Sequence, residues 1–349
     1  MDQLPLPLHS STRGQTRLAQ VIKEMAEHPI NDMVLSSRAI QFIPEEGTNR
    51  LLFQYRHIDK FRIHPFAFGQ VCNRVRLPRT YAQGLLDEGA PWATELLAHT
   101  LNTLFEMRGS GRKFLLRCVD GQIRGFLSNA YKRVDSIYLI DKFSAYANTV
   151  GAEPYDALLT PLRVAVQAVL PTIWDVAGHE LRVGVILRNS EFGAGHAEIS
   201  LCLTNQYNWS FISHRGVKKA HRGKRLSEDS SDNERLKMES SKQIAEEMKD
   251  HIFRYLEQDN LNAVMAEVAL STEEAIDVDK VADLLKELAL DDSELKTALD
   301  AFTTNRADLP NGFTRFRMAN TLAWLADLTQ DPERRLELMN LAGNVLLKE

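Results

Sequence analysis

Lys113-Phe-Leu-Leu-Arg-Cys-Val119, Asp120-Gly121 and Gln122-Ile-Arg-Gly-Phe-Leu-Ser128 form the stretch from which the fold class is read. Asp-Gly supplies the two positive φ angles that a type I′ turn demands, and both flanks suit a pleated, largely buried surface, so the stretch is an antiparallel hairpin. Upstream, Leu96, Leu97, Leu101, Leu104 and Phe105 share one face of a helix over residues 92–107, which a flexible basic loop, Arg108-Gly-Ser-Gly-Arg112, closes. Pro65 and Pro78 stand where proline favours the first helical turn and open two short helices, the first carrying Phe68, Val71, Cys72 and Val75. Residues 39–43 and 51–56 have strand character around a Glu46-Gly47-Thr48-Asn49 turn, and residues 12–28 read as an amphipathic helix that Pro29 ends.

Downstream, the reading places helices over residues 136–147 and 155–170, then three strands over 181–187, 197–203 and 207–213. Residues 226–233 are polar and read as a linker, and everything after them carries helical spacing, as in Ile244, Met248, Ile252 and Leu256. The expected class is therefore α+β: an antiparallel, hairpin-rich sheet packed with helices, followed by an all-helical C-terminal region. The expected division is 1–47, an N-terminal helix and first strand; 48–225, a basic α+β body; 226–234, a polar linker; and 235–349, an acidic helical region.

The chain of 349 residues is 44% hydrophobic and 26% charged, which is globular composition. Its longest apolar runs fall far short of the roughly 20 residues of a bilayer span, and no charged segment leads into an apolar one at the N-terminus. A protein neither exported nor inserted is expected. Cys72, Cys118 and Cys202 lie in apolar surroundings with no CxxC spacing, so they read as buried thiols of a reducing compartment.

The net charge of −5 conceals an asymmetry. Residues 48–225 hold 24 Lys and Arg against 14 Asp and Glu, whereas residues 226–349 hold 14 against 27. A basic body on an acidic tail points to a polyanionic partner for the body. Within it, Tyr207, Trp209 and Phe211 alternate as on one strand face, and Arg215, Lys218, Lys219, Arg222, Lys224 and Arg225 follow with no acid among them. Aromatic platforms beside a cationic track suit a single strand, since bases stack on the rings and phosphates release counterions to the cations. Tyr207 and Trp209 are the expected stacking residues, and the six cations with Arg112 and Lys113 the expected phosphate contacts. The other reading of the same residues turns the aromatics inward as core and leaves the basic run a solvated loop.

Catalytic and metal motifs are not evident. Val119-Asp-Gly-Gln-Ile-Arg124 is superficially close to the KxDGxR motif of nucleotidyltransferases, but the nucleophilic Lys would fall at Cys118 and Arg124 lies one place too far along. His57, His64 and His179 lack metal-ligand spacing, adjacent acids such as Glu246-Glu247 and Asp291-Asp292 diverge on helices or at caps, and neither a phosphate-binding GxxxxGK[ST] loop nor a GxSxG elbow occurs. No cofactor or metal is expected. Arg188-Asn-Ser-Glu-Phe-Gly193 is a Gly-closed turn in which Glu191 could bind a metal or cap backbone amides.

Three stretches together resemble a phage- and plasmid-borne family catalogued as domain of unknown function nine-three-two. They are Phe66-Ala-Phe-Gly-Gln-Val-Cys-Asn-Arg-Val75 with Leu77-Pro-Arg-Thr-Tyr81, Leu115-Leu-Arg-Cys118 and Ile123-Arg-Gly-Phe-Leu-Ser-Asn-Ala-Tyr131; Asn189-Ser-Glu-Phe-Gly193; and Ala319-Asn-Thr-Leu-Ala323 with Arg335-Leu-Glu-Leu-Met-Asn-Leu-Ala-Gly343. Where such proteins carry a Cys-Thr-Asn-Gly-like turn, this chain has Phe211-Ile-Ser-His-Arg-Gly216. The order of elements also looks like phage single-strand annealing proteins. The resemblance implies mobile-element biology and DNA metabolism more than a reaction. With the aromatic and cationic track, the expectation is a homo-oligomer in a bacterial cytoplasm that binds, anneals or protects single-stranded DNA. The rival expectations are a metal-dependent nuclease near Asp120, Asp135 and Glu191, and a module that inhibits a host protein through the acidic helical region.

Overall fold

A computed structural model describes residues 8–48, 50–55, 59–109, 111–207, 209–213, 216–219 and 230–348. It begins with helix α1 (Leu8–Glu27), followed by strands β1 (Asn31–Ser36), β2 (Gln41–Pro44), β3 (Leu51–Tyr55) and β4 (Asp59–Ile63). Helices α2 (Pro65–Val75), α3 (Arg79–Asp87) and α4 (Pro91–Gly109) lead to the hairpin β5 (Lys113–Val119) and β6 (Gln122–Ser128). Asp120 and Gly121 have φ of 50° and 72°, the geometry expected of this turn. Pro65 occupies the first turn of α2, and Pro78 is the N-cap of α3.

These strands form a six-stranded sheet in the order β1-β5-β6-β4-β3-β2, antiparallel except where β4 runs parallel to β6. The sheet buries Phe42, Phe53, Phe114 and Phe126 against α2 and α4, whose Phe105 joins them, with ring centroids 5.1 to 5.9 Å apart. Burying each ring contributes roughly 1.5–3 kcal/mol, which makes this cluster the anchor of the first unit. Because β1 and β2 are integral to this sheet, the expected division at Gly47 cuts through it. Charge changes there, but the fold does not.

The second unit starts with α5 (Ser136–Thr149) and continues through β7 (Glu153–Leu159), β8 (Val164–Val169), β9 (Trp174–Val176), β10 (His179–Asn189), β11 (Ala197–Asn205), β12 (Ser210–Ile212) and β13 (Val217–Lys219). Its sheet runs β12-β11-β10-β8-β7, with β9 on β10 and β13 on β11. The helix expected over residues 155–170 is instead the β7–β8 hairpin. Every residue of Val164–Val169 is buried, so the run shows no alternation from which a strand could be read, while Pro161 breaks any helix across it.

The remaining helices are α6 (Ser230–Tyr255), α7 (Gln258–Glu273), α8 (Val281–Lys286), α9 (Asp292–Thr303), α10 (Arg315–Leu328) and α11 (Pro332–Leu347). They are no separate domain. α6 packs with α5 and α1 into one core beside the second sheet, and α7 to α11 build the other core around β9 to β12. The segment expected as a linker is helical from Ser230 on, and residues 226–229 lie outside those described. The α1 helix lies so close on β7 that a Cβ at Gly14 would collide with the Pro154 carbonyl, and Arg17 pairs with Asp156 beside it. Among the described residues no helix is long and apolar enough to cross a membrane. Cys72, Cys118 and Cys202 are free and buried, and burial pushes their thiols up to about 11, 12 and 12, so none is a thiolate at neutral pH.

Candidate nucleic-acid interface

The two sheets are joined by a buried network centred on Arg117 of β5, which is 1% exposed. Its Nε donates to Asp32 Oδ1 at 2.8 Å, its Nη1 to the Glu191 carbonyl at 2.7 Å, and its Nη2 lies 3.1 Å from Glu191 Oε2. Arg133 Nη1 bridges Asp32 Oδ2 at 2.7 Å and Glu234 Oε1 at 2.8 Å. Burial alone would raise the Asp32 carboxyl, but the two guanidinium groups hold it below its ordinary value. Burial would likewise lower Arg117, which Asp32 and Glu191 hold above its ordinary value.

The turn after β10 is plugged into the first unit by the same region. Tyr131 donates to the Ser190 carbonyl at 2.9 Å, and Gln70 Nε2 to the Phe192 carbonyl at 2.9 Å. The Phe192 backbone lies 3.2 Å from where a Cβ on Gly125 would lie, so a larger residue there would push the turn back by a few tenths of an ångström. Glu191 Oε1 accepts the backbone N–H of Ser136 at 2.9 Å, so its role is the amide-capping one.

Asp120, Asp135 and Glu191 do line one cleft. Each, however, is engaged: Asp120 by His28 at 2.9 Å, Asp135 by Lys237 at 3.2 Å and by the N–H of Tyr138, and Glu191 by Arg117. Among the described residues no three His, Cys, Asp or Glu side chains are placed to hold a metal ion together.

The expected stacking-and-phosphate site is dispersed. Strand β12 starts only at Ser210; Trp209 is 7% exposed and Phe211 fully buried, both in the core shared with α10 and α11. Tyr207, 40% exposed, lies in the turn and stacks on Trp209 with centroids 4.8 Å apart, so neither ring of the pair is free on both faces. Of the three aromatics expected on one strand face, Trp209 and Phe211 share the core and Tyr207 does not join them. Lys218 sits opposite Glu198 on β11, 3.9 Å from its carboxylate, which also pairs with Arg188 at 3.0 Å. Glu198 and Asn205 are seven residues apart along β11, so Lys218 and Tyr207 are separated by more than about 20 Å. Lys219 lies in β13 beside it; Arg215, Arg222, Lys224 and Arg225 fall outside the described residues.

Arg112 belongs to a different cationic site, whose other members the sequence pattern did not bring together, and Lys113 follows it at the start of β5. The Ser37 N–H in the 3-10 turn Ser37–Ala39 donates to the Arg112 carbonyl at 2.9 Å. Arg108, at the end of α4, donates Nη1 to the Val75 carbonyl at the end of α2, at 2.6 Å. Arg76 caps α2 in the left-handed region, and Arg74 stands beside Arg112. Arg38, Arg74, Arg76, Arg108 and Arg112 thus lie on four segments that meet here, and among the described residues none of the five has an acidic partner within 4 Å. Burial, and then the neighbouring Arg112 charge, push the Arg74 guanidinium below its ordinary value. Arg79 begins the next helix, and Tyr81, 48% exposed, follows within its first turn. The cations are spread over 75 residues of sequence, so no run announces them.

Comparison with family models, with curated proteins and with solved structures finds no match to this chain.

Proposed function

We propose that the chain binds nucleic acid through the phosphate backbone, single strands in preference to duplexes, with the corner formed by Arg38, Arg74, Arg76, Arg108 and Arg112 as the contact surface. The observation that carries this reading is the meeting of these arginine-bearing segments, tied by the Ser37–Arg112 and Arg108–Val75 hydrogen bonds, with Arg74 in the field of Arg112 and no acidic side chain within 4 Å of any of the five among the described residues. Two like charges held together without a counter-charge weaken the fold, and a polyanion that neutralises both recovers that loss on binding. Tyr81, 48% exposed on the helix that follows Arg76 in the chain, gives an unpaired base a face to stack on, whereas the bases of a duplex are already stacked. A strand held by its phosphates is shielded and kept open for a complement, which is what protection or annealing in recombination requires.

The test is fluorescence anisotropy of a labelled single-stranded oligonucleotide and its duplex at several salt concentrations, with Arg74→Gln and Arg112→Gln. Each substitution should flatten the plot of log affinity against log salt by roughly 0.7, the value of one neutralised phosphate on a single strand. Unchanged slopes in both variants would remove the corner from the interface. Absence of binding to either form at low salt would sink the reading and leave the corner to an acidic protein partner.

A further inference from the structure

Buried Arg317 of α10 fastens the segment that joins α9 to α10, residues 304–314. Its Nε donates to the Phe302 carbonyl at 2.8 Å, its Nη2 to the carbonyls of Ala301 at 3.1 Å and of Thr304, and its Nη1 to that of Pro310. The far end of the segment is held as well, where the Ile276 N–H donates to the Phe313 carbonyl at 2.8 Å and the Arg315 N–H to that of Glu274 at 2.9 Å. Loops of this length are most often binding elements or disordered, and this one is fixed at both ends and at Pro310. It walls a cleft of about 600 Å³ whose lining also includes Tyr207, in the turn between β11 and β12, and His179 at the start of β10. Among the described residues no carboxylate lines this cleft. The charge of Arg306 in its wall is taken up by Asp308, at 3.0 Å from Nε and 2.8 Å from Nη2, and the guanidinium lies over the Trp324 ring at 4.4 Å. Burial pushes the His179 imidazole below its ordinary value against the pull of Asp175, so the ring is neutral at pH 7.

The cleft thus offers a ring and amides instead of charge. Tyr207 has one face stacked on Trp209 and is 40% exposed, which leaves its second face to an incoming ring. Asn305 and Asn311 of the fixed loop are exposed, and among the described residues neither side chain has a hydrogen-bond partner. A phosphate-bearing ligand is disfavoured, because it meets no free cation in the lining, while Asp175 and Glu180 beside His179 and Glu273 beside Thr272 have no cationic partner within 4 Å among the described residues. We propose that this cleft binds a neutral saccharide, one pyranose ring lying on the open face of Tyr207 and its hydroxyls on the amides of Asn305 and Asn311. A pyranose turns a patch of C–H hydrogens, positive at their tips, toward the negative face of the aromatic ring. Its hydroxyls each donate and accept, and the carbonyl and NH2 group of an amide match both roles. The fixed loop holds its amides in place before the ligand arrives, which lowers the ordering cost of binding. This site is independent of the arginine corner.

The experiment titrates the full chain by calorimetry with the methyl pyranosides of glucose, galactose, mannose and N-acetylglucosamine, with maltose, cellobiose and lactose, and with the neutral nucleosides adenosine and cytidine. At least one saccharide should bind at millimolar concentration or below, and more tightly than either nucleoside. Tyr207→Ala should weaken that binding about tenfold, whereas Tyr207→Phe, which keeps the ring, should leave it unchanged. Asn311→Leu lies on the exposed loop, away from the Tyr207–Trp209 pair, and should weaken it as well, with thermal unfolding of each variant showing that the fold is retained. The affinity should not change with salt, since the ligand carries no charge, which sets this site apart from any strand binding at the corner. Failure of every saccharide to bind at millimolar concentration, equal binding to Tyr207→Ala, or tighter binding of a nucleoside than of every saccharide would each overturn the proposal; the last result would give the cleft to a base.

Discussion

Replacing Arg117 by Met keeps an unbranched apolar stem and removes the charge and all the donors. Three interactions then go at once: to Asp32, to the Glu191 carbonyl and to the Glu191 carboxylate. Glu191 stays 8% exposed with the Ser136 N–H as its remaining hydrogen bond, and Asp32 is left to Arg133 alone. Removing one partner of a buried ion pair costs about 3–5 kcal/mol, a large part of the roughly 5–15 kcal/mol of a whole domain. Arg117 links the first sheet to the turn after β10, so the loss should also uncouple the units. Urea unfolding followed by tryptophan fluorescence and by far-ultraviolet circular dichroism should then give two transitions that no longer coincide. The pH dependence has a definite sign. The folded Asp32 carboxyl lies below its unfolded value, so its contribution is complete above about pH 4 and is lost as pH falls through the folded value. The gap between wild type and variant should narrow from pH 7 to pH 3. A loss under about 1 kcal/mol, or a gap independent of pH, would refute the assignment of Arg117 as the electrostatic link.

Tyr81→Ala should weaken single-strand binding by about 1–3 kcal/mol, one stacked base, with the melting temperature unchanged; unchanged affinity removes that platform. Trp209→Ala should instead cost about 3–5 kcal/mol of stability in chemical denaturation, because its ring belongs to the core; a variant as stable as wild type would return Trp209 to the surface. Asp291→Ala deletes a capping box in which Asp291 accepts the Glu294 N–H and Glu294 returns a bond to the Asp291 N–H. About 1 kcal/mol of stability should go with it, measurable by the same titration.

What could be read in advance was what local chemistry dictates. The Asp120-Gly121 turn and the helices opened by Pro65 and Pro78 depend on backbone preferences that a few residues carry by themselves. The β7–β8 hairpin reads as helix in the sequence because a strand buried on both faces has no period, and length alone does not arbitrate. For Trp209 and Phe211, alternation says that two side chains share a face without saying whether water or α10 lies against it. The network around Arg117 joins residues 74 to 101 positions apart, beyond any pattern. One signal was nevertheless present: an arginine inside Leu115-Leu-Arg-Cys118 must find buried acceptors if its neighbours are core. Of the cationic corner only the basic loop of Arg108 and Arg112 stands out in the sequence, since the five arginines come from four separate segments whose meeting is a product of the tertiary fold.

The most direct test of phosphate-backbone binding is the salt dependence of single-strand affinity for the wild-type chain beside the Arg74→Gln, Arg112→Gln double variant, with complex size read by mass photometry. Affinity that falls steeply with salt in the wild type, favours the single strand over its duplex, and has a slope smaller by about 1.4 in the double variant is the expected result. A double variant with wild-type slope and affinity, or a wild type that binds neither form at low salt, would contradict it.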